Sequence, residues 1–213
     1  MTQLQRTNLR EQVLEVVRQA MVSGELRPGD IYSAAALATR LGVSSSPVRE
    51  ALLTLVNQGL LEPVRNRGYR VVAITERDLD EIYEMRVLLE VPATLSAGAA
   101  AGPDDLARLD ALAGEIESAA DAGDVARFLE ADRRFHLDLL ALAGNGRLID
   151  SIATLRDQTR LYGLEKLAER GRLADSAREH REMLATIAER DWARLEDQVR
   201  AHLKHVRAEW AVG

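Results

Sequence analysis

The sequence predicts a mostly α-helical protein: an N-terminal winged helix-turn-helix with a small β-wing over residues 1–74, then an all-α antiparallel bundle over 75–213. Three observations predict this. An apolar helix ending at Leu41 meets a Gly42-Val43 turn and a second helix opened by serines and Pro47, which is the layout of a helix-turn-helix. From Thr75 onward, apolar residues recur at helical spacing between short breaks. Aromatics make up only 4% of the 213 residues, so the core must be built from Leu, Ala, Val and Ile, as in helix packing.

The elements follow in order. Leu9, Val13, Val16, Val17, Ala20 and Met21 form a helical stripe over 8–23, and Arg27-Pro28-Gly29-Asp30 reads as a turn. Ser33 is a natural N-cap for a helix over 33–41. The third helix starts within 44–47, where a proline costs little because first-turn amides have no intrahelical acceptor, and it ends before Gly59. Residues 64–74 read as a hairpin with Asn66-Arg67-Gly68 at its tip. Thr75 and Asp78 form a helix-start signal close to a capping box. Helices are then expected at 76–101, 103–122, 124–143, 146–170, 174–190 and 191–211. Their breaks are Gly102-Pro103, Gly123-Asp124, Gly144-Asn145-Gly146, the Gly171 region and Arg190-Asp191. Pro92 should kink the first of them by removing a backbone donor.

Composition narrows the function classes. There is no cysteine, which excludes disulfides, zinc ribbons and thiol chemistry. The N-terminus is polar, and the longest uncharged run, Val91–Pro103, is too short to span a bilayer, so the cytoplasm is the simplest location. Charge is unevenly spread. Residues 1–77 hold ten arginines against seven acidic groups, a balance of +3, while 78–213 hold 18 basic and 27 acidic groups, a balance of −9. A basic head on an acidic body suits a nucleic-acid-binding module joined to a domain with another task.

In the head, Arg49 lies one turn into the third helix and is the best candidate for a base or phosphate contact. Ser44, Ser45 and Ser46 can offer hydroxyls or helix-start amides to phosphate. Arg65, Arg67 and Arg70 flank the wing, and Gly68 would let its backbone approach closely. Helix capping by the serines and simple solvation of the arginines are the competing readings. Gly42 through Leu52, then Leu55, Gly59-Leu60-Leu61 and Arg67-Gly68, resemble the winged-helix head of GntR-family transcription regulators. The resemblance covers residues 8–74 and implies binding to a double-stranded DNA operator. That family usually has arginine where this chain has Ser45, and often a basic residue near Ala35, so Arg49 and the wing arginines must carry more of the contact.

The four histidines, His136, His180, His202 and His205, all lie in the body. Asp132 and His136 are four apart in a strong helix and share a face. With imidazoles from two other helices they could enclose a divalent metal, and such N/O donors suit Zn, Ni, Mn or Fe rather than Cu(I). An ordinary helical ion pair fits the same spacing. His205, three residues beyond His202, could compete for the role or support it. Asp132 to His136, then Gly144 to Leu148, Glu179-His180 and His202-Leu203, resemble the FCD ligand-binding domain of the FadR-type branch, in its six-helix, VanR-like form. The resemblance implies that Asp132, His136, His180 and His202 hold a divalent metal (Zn, Ni or Mn) whose coordination a small carboxylic acid effector completes. It implies that Arg86 reaches the pocket and binds that acid, although an Arg86–Glu90 pair on the helix surface fits equally. Asn145 either lines the pocket or caps a helix, and Arg134 is a weaker candidate.

The leading expectation is therefore a homodimeric, effector-controlled transcription regulator, most simply a repressor, on a pseudo-palindromic operator. No catalytic residue is assigned. The alternatives are a metal-dependent hydrolase on the same Asp/His cluster, which lacks an evident general base, and a helical interaction protein with incidental histidines.

Overall fold

The computed structural model describes residues 5–159 and 173–209, and the chain divides into two compact units, Met1–Ile74 and Thr75–Gly213. The first unit opens with α1, Gln5–Val22, which buries Val13, Leu14, Val17 and Met21. A two-residue strand, β1 (Ile31–Tyr32), leads into α2 (Ala34–Leu41), where the Ser33 hydroxyl accepts from the Ala36 amide at 3.0 Å. Gly42 ends α2 at φ 66°, a left-handed conformation that glycine adopts without steric cost. Helix α3 (Ser45–Asn57) then buries Val48, Ala51, Leu52 and Leu55, the face that fixes it on α1 and α2.

The wing differs from the expected 64–74 hairpin. Strand β2 is Leu61–Val64 and β3 is Gly68–Val71, so the hairpin begins three residues earlier. It also gains β1, giving an antiparallel sheet in the order β1-β3-β2, with Tyr32 opposite Tyr69 and Pro63 opposite Tyr69 on the other side. β2 is an edge strand, which is why it tolerates Pro63. β1 has too few residues to generate an alternating pattern, so nothing in the sequence marks it.

In the second unit, α4 (Glu76–Ala100) starts with the expected box: the Thr75 hydroxyl accepts from the Asp78 amide at 3.2 Å while Asp78 accepts from the Thr75 amide at 2.8 Å. The helix continues through Pro92, which has no amide proton to donate to the turn before it. Helix α5 (Pro103–Asp121) follows Gly102, whose amide Asp105 accepts, and α6 (Val125–Ala141) is capped by Asp124. Then come α7 (Gly146–Thr159), α8 (Leu173–Glu189) and α9 (Trp192–Glu209). The predicted remainder of the 146–170 helix, the break near Gly171 and residues 210–211 lie outside the described residues.

Helix α5 packs on α6 and α8, and α4 packs on α6, α7 and α9. Phe135, Leu139, Leu109, Ile116, Met183, Leu195 and Leu203 are buried in one core. At Gly98 an added Cβ would lie 3.3 Å from both Ile187 and Trp192, so a small residue is what lets α4 approach the end of α8 and the start of α9. No described helix is long and apolar enough to cross a membrane.

Candidate metal centre and nucleic-acid interface

Helix α6 presents Asp132 and His136 from adjacent turns of one face, α8 brings His180 and α9 brings His202. One potential ligand atom from each of the four lies within 4.8 Å of the others. His180 Nε2 is 3.1 Å from Asp132 Oδ1 and 3.1 Å from His136 Nε2, and His136 Nε2 is 3.5 Å from Asp132 Oδ1. Ligand atoms held at about 2.1 Å from one ion stand roughly 3.0–3.4 Å apart, so these separations match the edges of a coordination polyhedron. The histidines are buried, while Asp132 keeps 21% of its side chain exposed and marks the open side. Phe135 stands edge-on to His136 and His180, closing the inner side with apolar surface.

The hydrogen-bond partners fix which nitrogens face inward. His180 Nδ1 is 2.9 Å from the Ser176 carbonyl, which can only accept, so Nδ1 carries the proton. Its Nε2 lone pair then faces the Asp132 carboxylate, acceptor against acceptor, unless a proton or a cation lies between them. His202 donates from Nδ1 to Glu179 Oε2 at 2.7 Å, which turns its Nε2 away from Glu179. Burial, and then the positive charge of Arg156, push His136 well below the usual imidazole range, and burial also lowers His202. Both are thus held neutral, as metal ligands must be. Burial alone would raise the Asp132 carboxyl; a proton shared with His136 or His180 reverses this and lowers it well below the usual carboxylate range, and a cation in the same place would act alike. The donor set fits a divalent N/O-binding ion.

The sequence marks Glu179 only as part of the Glu179-His180 motif and gives it no role. It joins His202 to His205, whose Nδ1 lies 2.6 Å from Oε1. His205 itself is 54% exposed and outside the cluster, so of its two expected roles the supporting one matches its place.

Arg86 is paired with Glu90, Nε to Oε1 at 2.6 Å. That was the competing expectation, with one correction: the pair is buried, at 3% and 2% exposure, rather than on the surface. An overlooked residue, Arg156 of α7, holds the other Glu90 oxygen from Nη2 (2.5 Å) and Nε (3.1 Å), and its Nη1 is 3.5 Å from Asp132 Oδ2. Burial raises the Glu90 carboxyl, yet Arg156 and Arg86 outweigh it and bring it down to about 2. Asn145 is exposed, and its Oδ1 accepts from the Leu148 amide at 3.2 Å, closing the first turn of α7, which is the capping role the sequence also allowed. Arg134 is also exposed and pairs with Glu115.

In the first unit, Ser44, Ser46 and Arg49 are exposed and Ser45 half-buried, at the start and in the first turns of α3. Ser44 occupies the N-cap position without making a side-chain cap bond, and Ser46 donates to Glu50 at 3.1 Å. Arg65 and Arg67 are exposed at the wing tip, whereas Arg70 is paired across the sheet with Glu62. Gly68 has a reason inside the protein. At φ 129° an added Cβ would stand 2.3 Å from the Tyr32 carbonyl oxygen, so the close approach it permits is to β1.

Residues 81–205 match the FCD domain, and residues 9–71 match bacterial regulatory proteins of the gntR family. An uncharacterized HTH-type transcriptional regulator of Bacillus subtilis, YdhC, is 26% identical over 190 residues, 89% of this chain and 85% of that protein. The HTH-type transcriptional repressor GlaR of Escherichia coli is 28% identical over 197 residues, 88% and 89% of the two chains. The solved structure of Escherichia coli McbR/YncC superposes with a TM-score of 0.82 at 28% identity, covering 94% of this chain and 95% of the other.

Proposed function

Because the chain belongs to the GntR family of bacterial regulatory proteins, with an FCD domain behind its winged helix-turn-helix, and is therefore a DNA-binding transcription regulator rather than an enzyme, we propose that it is a cytoplasmic repressor controlled by a small organic acid on a divalent metal. In this reading residues 1–74 are the DNA-binding domain, and residues 75–213 bind metal and effector and form a homodimer. The observation that carries the reading is the convergence of Asp132, His136, His180 and His202, from three helices, with ligand atoms within 4.8 Å of one another. Zn, Ni or Mn suits three imidazoles and a carboxylate.

DNA contact is assigned to Arg49, Arg65 and Arg67, with Ser44, Ser45 and Ser46 on phosphate. All three arginines are exposed and make no ion pair among the described residues, so their N–H donors are available. Two copies related by a two-fold axis read two half-sites. The effector releases the operator only if it prefers the conformation that binds DNA poorly, and an ion bridging α6, α8 and α9 supplies an element that both states can share or break.

The hydrolase alternative gains no support, since the matched families and relatives are regulators. The test is an electrophoretic shift with fragments from beside the protein's own gene, with and without Ni2+ and a panel of organic acids. Specific retardation that a metal-dependent acid relieves is expected. No specific retardation at moderate salt would sink the proposal.

A further inference from the structure

Helix α3 carries two faces built on one pattern. Its buried residues, Val48, Ala51, Leu52 and Leu55, follow the spacing i, i+3, i+4, i+7. Ser46, Arg49, Glu50 and Leu53, all exposed, repeat that spacing two residues earlier. Two residues are about 200° around a helix, so the second set lies opposite the first. Helices that lie in the major groove present base-reading side chains at this same spacing. Ser46 to Leu53 spans about 10 Å along the axis, room for about three base pairs at about 3.4 Å each.

Two members of this face have no part in the contacts assigned above. Glu50 holds its carboxylate on the face by accepting from the Ser46 hydroxyl at 3.1 Å. A phosphate would repel it, whereas base edges offer it amino donors such as cytosine N4. Leu53 is 51% exposed. Of the large apolar side chains left exposed among the described residues, Val16, Leu53, Met85 and Leu88, it alone lies on α3. A leucine has no donor for a phosphate, and the apolar group that the major groove displays is the C5 methyl of thymine. The turn after Arg49 therefore has the chemistry of a surface for base edges, not for the DNA backbone.

We propose that Leu53 reads a thymine methyl in the major groove, one turn of α3 beyond the base that Arg49 takes, and is a specificity residue of the operator contact. Arg49 supplies charge and hydrogen bonds, and Leu53 supplies an apolar contact that a thymine at its position completes. This rests on the DNA-contact reading of α3 above.

The experiment uses the full chain and the duplex it enriches from a random-sequence pool, with each thymine of that duplex replaced in turn by deoxyuridine, which lacks only the C5 methyl. Binding is read by fluorescence anisotropy. At one thymine, within about three base pairs of the base that Arg49→Ala no longer selects, the replacement should weaken wild type about fourfold, the size of one apolar carbon withdrawn from water. Leu53→Ala should bind the thymine and uracil duplexes alike. It should also keep the salt dependence of wild type, because no phosphate contact is lost. Leu53→Met, which keeps an apolar tip, should retain the preference. No thymine sensitive to the replacement, a sensitivity that persists in Leu53→Ala, or a loss in Leu53→Ala that is equal on every duplex would each overturn the proposal. No enriched sequence at all would overturn the DNA-contact reading beneath it, and the proposal with it.

Discussion

Replacing Glu90 by glutamine tests whether the buried charge chain stabilises the bundle as an ionised unit. Glu90 is 2% exposed, and its carboxyl lies at about 2 against an ordinary value of 4.5, because Arg156 and Arg86 more than offset the cost of burial. A folded value below the unfolded one means that the carboxylate's contribution is complete above about pH 4.5 and disappears as the pH falls towards about 2. The gap of about 2.5 pH units, at about 1.4 kcal/mol each, corresponds to about 3.5 kcal/mol at neutral pH. Glutamine keeps the shape and one acceptor oxygen but carries no charge at any pH. Wild type should therefore exceed Glu90→Gln by about 3.5 kcal/mol at pH 7, by about 1.5 kcal/mol at pH 3 and by less than about 0.5 kcal/mol at pH 2. Urea unfolding followed by far-UV circular dichroism, at constant ionic strength and extrapolated linearly, measures the difference, and groups shared by both proteins cancel. A stability gap that stays constant from pH 7 to pH 2.5 would refute the reasoning, since only an ionisation coupled to folding closes it.

Other expectations follow from the same geometry. Ni2+ or Zn2+ at a hundredfold excess over its Kd should stabilise the protein by about 2.7 kcal/mol, visible as a rise in Tm that Asp132→Ala and His180→Ala abolish. Glu179→Ala should lower metal affinity about 10–100-fold in a chelator competition, because His202 loses the acceptor that orients it, while His205→Ala changes it little. Gly68→Ala should destabilise the head by about 2 kcal/mol or more in urea melts, since the new methyl meets the Tyr32 carbonyl at a φ that side chains avoid. Arg67→Ala should reduce the slope of log K against log salt by about 1, across all DNA sequences, whereas Arg49→Ala should also relax sequence preference.

The parts of the molecule that follow from local chemistry were legible in advance. Gly42 had to end a helix, Thr75 and Asp78 had to start one, and a four-residue spacing had to put Asp132 and His136 on one face. The resemblance to a known family supplied His180 and His202, which no spacing could have joined to them across 44 residues or more. The parts set by which elements become neighbours were not legible. Glu90 and Arg156 are 66 positions apart and meet only because α4 packs on α7, so no local pattern announces the buried Arg86–Glu90–Arg156 chain. Asn145 stands in a Gly-Asn-Gly break where a cap and a pocket residue look alike, and only its bond to Leu148 separates them. The wing began earlier than expected because Leu60 and Leu61 continue the apolar spacing of α3.

The central place of β3 in the three-stranded sheet also bears on how such a head can be re-engineered. The segment before α2 is stitched to it twice over, through the Gly29 amide to the Val71 carbonyl and the Val71 amide to the Asp30 carbonyl, and Tyr32 fills the space above Gly68. A wing tip exchanged as a cassette from another protein would bring its own β3 without the β1 that fits it. Grafts that retarget this protein should therefore move residues 29–72 as one piece, or change only the side chains of Arg65 and Arg67, which the ladder does not use.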